Sequence, residues 1–126
     1  MSHIKAVREV LEADTAVFAL VGKRFFPEVL PQNVTLPAAV LTLVSDVGQD
    51  AFRTNAASVL RNARVQVDLY ARDFDECEAA ADAVDDAMQA NHGPSFSARQ
   101  SNRQHFFEKQ TNLYRVSLDF SVWRGR

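Results

Sequence analysis

Three histidines, His3, His92 and His105, and one cysteine, Cys77, are the imidazole and thiol groups of this 126-residue chain. A zinc site needs several soft or imidazole ligands converging at fixed spacing. None of these four stands at such a spacing from another or from an acidic pair. Cys77 falls on the apolar stripe of a helix and reads as a small buried hydrophobe, whereas a reactive thiol needs exposure and a lowered pKa. The 4 glycines form no nucleophile elbow, phosphate cradle or nucleotide fingerprint. A Ser/His/Asp trio chosen without a motif carries no information. No catalytic residue, no cofactor and no metal ligand is therefore assigned, and the chemistry of the chain points to binding and assembly.

Charge is distributed more informatively. Residues 73–98 hold seven acids (Asp73, Asp75, Glu76, Glu78, Asp82, Asp85 and Asp86) and no Lys or Arg. Residues 99–126 hold six bases (Arg99, Arg103, Lys109, Arg115, Arg124 and Arg126) against Glu108 and Asp119. The bland reading is a solvated helix face and a basic tail. The sharper one is that the acidic face of one copy, with Asp75, Asp82 and Asp86, meets Arg103, Arg124 and Arg126 of the next. Such complementarity sets register and partner choice more than affinity. Direct DNA binding fits poorly, because affinity grows with the phosphates neutralised and the net charge is −2. Nor do aromatics interleave with a basic patch as a stacking platform requires.

The elements that would carry these residues follow from periodicity. Residues 3–12 read as a helix with Ile4, Val7 and Leu11 at helical spacing. Asp14 caps a short turn that buries Val17, Phe18 and Val21, and Gly22 ends it. Pro27, Pro31 and Pro37 then exclude regular structure. Residues 38–45 are apolar on both alternating sets, which suggests a strand covered on both faces or by a neighbouring subunit. The gap over 45–58 is polar and too long for a tight hairpin, with Phe52 isolated in it. Residues 60–71 alternate cleanly, with Val65, Val67, Leu69 and Ala71 facing one way. Residues 113–123 repeat this with Tyr114, Val116, Leu118, Phe120 and Val122 inward, and a weaker strand within 95–107 precedes them. The best helix spans 74–90, with Phe74, Cys77, Ala81, Val84 and Met88 on one stripe and Asp73 with Glu76 as a capping box.

Both strong strands have one polar face, which predicts an α+β domain over 1–126: a mainly antiparallel sheet of about four strands with two main helices packed on one face. A hydrophobic content of 47% and charged content of 24% are those of an ordinary globular protein. A lone cysteine suits a reducing compartment, no apolar run reaches the length of a membrane span, and the N-terminus does not resemble a signal peptide.

The order helix, proline-rich lead-in, strand, long loop, strand, acidic helix and final hairpin resembles the tail completion family of tailed phages, also called tail terminator or head–tail joining proteins. The resemblance covers most of the chain. It is carried by Val21-Gly22-Lys23-Arg24-Phe25-Phe26, Leu30-Pro31, Leu36-Pro37-Ala38-Ala39-Val40 and Val65-Gln66-Val67-Asp68-Leu69-Tyr70-Ala71. It implies a structural, non-enzymatic virion assembly protein that caps the tail tube, ends its polymerisation and helps join tail to head. Such subunits act as rings, usually hexamers, through which DNA passes. The implied partners are other copies of the chain, the tail tube protein and a head-completion or neck protein, with no membrane and no sequence-specific nucleic acid. The implied place is the head–tail junction of the virion, with assembly in the host cytoplasm, in a phage, a prophage or a gene-transfer agent. Phe52, Arg53, Phe106 and Phe107 are the residues expected to touch tube or head, although each also reads as a local packing residue. A head-side neck or connector protein and a host-encoded, non-enzymatic binding module are the alternatives. Binding to tube protein, or a strictly monomeric state, separates them.

Overall fold

Alternating apolar residues that face the same helical stripe organise the molecule around one sheet. The computed structural model describes residues 3–48, 61–90 and 96–124. Within them the chain runs α1 (His3–Ala13), α2 (Thr15–Val21), β1 (Phe25–Pro27), β2 (Ala38–Gly48), β3 (Arg61–Ala71), α3 (Phe74–Ala90), β4 (Phe96–Glu108) and β5 (Leu113–Arg124). The five strands form one mixed sheet in the order β1-β2-β3-β5-β4. The class is α+β as expected, but the strand inventory differs. The expectation of about four antiparallel strands and two main helices becomes five strands and three helices. Phe25–Pro27 pairs parallel with Ala39–Leu41, despite its proline. A proline is tolerated there because a short edge strand needs few ladder donors.

The core lies between the sheet and the helices. Val65, Val67, Leu69 and Ala71 of β3 meet Val116, Leu118, Phe120 and Val122 of β5, and all are buried against Cys77, Ala81, Val84 and Met88 of α3. α1 supplies Val7 and Leu11, and α2 supplies Val17 and Val21. Burying one such side chain contributes about 2 kcal/mol. Phe74 departs from the expected stripe. It begins α3, extends past the core and remains 47% exposed.

Local chemistry sets the helix ends. Asp14 Oδ1 accepts from the amides of Ala16 and Val17 at 3.0 Å, and Gly22 closes α2 at φ 64° while its amide donates to Phe18 O. Asp73 Oδ2 accepts from the Glu76 amide at 3.1 Å and starts α3. Strand β2 is buried on both alternating sets only through Leu41. Leu43 and Val44 are exposed beyond it. Ala38 and Val40 point away from the helices, at the end where residues 30–36 share a groove with Arg72, Thr111 and Leu113. The Leu36–Pro37 peptide is cis. Most of the expected loop over 45–58 lies outside the described residues, but its first part, through Gly48, continues β2.

Candidate assembly surface

The β4–β5 hairpin and the first turns of α3 assemble the densest cluster of polar and aromatic side chains. Pairing places Arg103, His105 and Phe107 of β4 opposite Leu118, Val116 and Tyr114, on the helix side of the sheet. There they meet the acidic helix of the same chain. Arg103 Nη2 donates to Glu78 Oε1 and Arg103 Nη1 donates to Asp82 Oδ1 at 2.9 Å. His105 Nε2 sits 2.9 Å from the other Glu78 oxygen. One carboxylate thus ties together two strand residues, and the i, i+4 spacing of Glu78 and Asp82 matches the fork of a guanidinium. Burial opposes the charge on Arg103, but its hydrogen bond to Asp82 and the charge of Glu78 outweigh it and hold its pKa above the usual arginine value.

Aromatic rings extend this clamp to the hairpin end. The Phe74 ring lies 5.8 Å from Tyr114, edge to face, and 6.3 Å from His105. Phe107 lies 4.8 Å from Tyr114. Together with Cys77 and Val116 these rings line a shallow cleft. Phe107 and Phe106 point to opposite faces, because successive strand residues alternate. Both are exposed, at 47% and 41%. Cys77 lines this cleft and is itself buried. Burial pushes its thiol up to about 11, and its Sγ donates to Leu69 O at 3.2 Å.

The opposite face of the sheet is polar and internally paired. The Arg115 guanidinium lies 4.6 Å from the Phe106 ring centre, with Asp68 at 3.4 Å and Glu108 at 3.6 Å. Gln66 Nε2 donates to Asp68 Oδ2 at 2.9 Å, and Arg64 stands 3.5 Å from Asp119. Asp68 is buried, so its carboxylate requires these partners. Burial raises the neighbouring Tyr70 phenol, while the charge of Arg115 opposes that rise.

The sequence-predicted contact residues are distributed unevenly. Phe106 and Phe107 sit together at the hairpin end. Asp75, Asp82 and Asp86 line the exposed side of α3, and Arg103 closes on Asp82 within the chain instead of remaining free for a neighbour. Arg124 ends β5; its side chain, and Phe52, Arg53 and Arg126, lie outside the described residues. Glu78, His105, Phe74 and Arg115 are not among the contact residues expected from the sequence. The alternation Arg103, His105, Phe107 opposite an i, i+4 acid pair was the available signal. Among the described residues no group of three or more His, Cys, Asp or Glu is placed to hold a metal ion. No described helix is long and apolar enough to cross a membrane.

Comparison with known proteins gives the surface its context. The family model described as tail completion protein gp17 matches residues 5–124. A chain from the virion of a native gene transfer agent particle shares the fold with a TM-score of 0.65 at 22% identity, over 99% of this chain and 96% of that one. No curated protein matches the chain. The match over almost the whole length shows that the chain belongs to the tail completion protein gp17 family, whose members are structural components of phage-type virions.

Proposed function

We propose that this tail completion protein caps the tail tube as a ring of its own copies, ends tube polymerisation and presents the surface that joins tail to head. The family match over residues 5–124 is the observation that carries this reading. The surface agrees with it. Exposed Phe74, Phe106 and Phe107 supply apolar area at one end of a hairpin that is braced by the Glu78–Arg103–Asp82 clamp. Aromatic anchors on a rigid support are what a protein–protein contact uses. On the polar face Asp68, Glu108 and Asp119 stand beside Arg115 and Arg64 and offset their charge, which suits passage of DNA through a ring better than a grip on it. The ring is hexameric in this reading, with Phe106 and Phe107 docking against tube or neck protein, together with Phe52 and Arg53, which lie outside the described residues. Asp75, Asp86, Arg124 and Arg126 are left to contact neighbouring copies.

The test is to add the purified chain to preformed tail tubes and image them. Rings seated at one tube end, and loss of that seating in Phe106→Ala/Phe107→Ala, are expected. Binding to the portal complex with none to tubes would contradict the proposal and favour a head-side role.

A further inference from the structure

Among the described residues, both edges of the sheet lack a partner strand over much of their length. β1 pairs with β2 only at Ala39, Val40 and Leu41, so residues 42–48 have no partner on that side among the described residues. β4 is the last strand on the other side, and its outer edge is likewise unpaired among the described residues. Proteins blunt such edges with lysine or other charges, proline, bulges or short strands, because open edges template pairing with another chain. Neither residues 42–48 nor Phe96–Glu108 contains a lysine or proline. Each carries a single bulge, at Val44 and at Ser101, and both flank one row of the sheet: Leu43, Val65, Phe120 and Gln100.

We propose that these two edges pair with each other between copies: β4 of one copy adds to the free half of β2 of the next, so that one sheet continues around the ring. This rests on the ring reading above and names its interface. Strand direction supports it. β2 and β5 run one way, β3 and β4 the other. Rotation about an axis along the strands therefore sets β4 of one copy antiparallel to β2 of the next and keeps the helices on one side. That contact is heterologous, the kind that closes rings, and antiparallel ladders are the more stable kind. Side chains support it too. Exposed Leu43 and Val44 rim one edge, and half-buried Phe96 and Ala98 rim the other. Leu43 and Ala98 both lie on the helix side, opposite Val65 and Val122.

The test uses cysteine cross-linking in the full chain, concentrated alone and seated on tail tubes. Leu43→Cys mixed with Ala98→Cys or Gln100→Cys should give a disulfide-linked dimer on oxidation, and neither variant alone should. A chain carrying both cysteines should give a ladder that ends at the copy number of the ring. Amide exchange over residues 42–44 should slow about tenfold or more on assembly. A single variant that links to itself would indicate an edge paired with its own kind and overturn the proposal. A ring seen by mass or imaging, without cross-links or slowed exchange, would overturn the edge pairing and leave the ring standing. Absence of any ring would remove both.

Discussion

Glu78 holds two strand side chains with its two oxygens, and that sharing makes it the pivot of the clamp. Arg103 is only partly exposed and fully engaged, so the clamp contributes more than an ordinary surface pair. Arg103→Ala should lower stability by about 1 kcal/mol, or roughly 3–5 °C in a thermal melt. Arg103→Lys should recover little of it, since an ammonium cannot bridge two carboxylates as a planar fork does. Cys77 makes a second, independent prediction. Its folded-state pKa of about 11 lies above the usual value near 9, so the folded state keeps the proton longer than the unfolded chain does. The resulting stability is fully present below pH 9 and is lost as pH rises towards 11, by about 3 kcal/mol at most. Denaturant titrations of the native chain and Cys77→Ala should converge across that alkaline range. Parallel curves would contradict the burial argument.

At the scale of elements, α3 depends on its cap. Asp73→Ala removes the acceptor for the Glu76 amide and should cost about 1 kcal/mol by urea denaturation. The hairpin aromatics behave differently. Phe106→Ala and Phe107→Ala remove half-exposed rings, so each should cost about 1 kcal/mol of stability or less while weakening attachment to tubes. β3, β5 and α3 were legible in the sequence because each keeps one period along its length against a single face. β4 was only half legible, for a reason the bulge at Ser101 makes plain. Phe96, Ala98 and Gln100 face the helices before it, Arg103, His105 and Phe107 after it. An inserted residue moves the inward set from even to odd numbers and erases the alternation. β1 was missed because three residues carry no periodicity and their pairing is decided by distant Ala39–Leu41. The acid–base complementarity was visible, yet its partner was not. Because α3 crosses β4 of its own chain, Asp82 meets Arg103 within one copy. Sequence alone does not show which copy supplies the base.

At the scale of the whole molecule, the family and fold matches span nearly the entire chain. The helices cover one face of the sheet, the other face pairs Arg115 with Asp68 and Arg64 with Asp119, and among the described residues the strand edges and the hairpin end carry exposed apolar side chains. The central claim is tested most directly by imaging particles assembled without the chain. The account predicts tubes of uncontrolled length and heads lacking attached tails, with both defects repaired by supplying the chain in trans. Tails of normal, uniform length joined to heads in its absence would contradict the account.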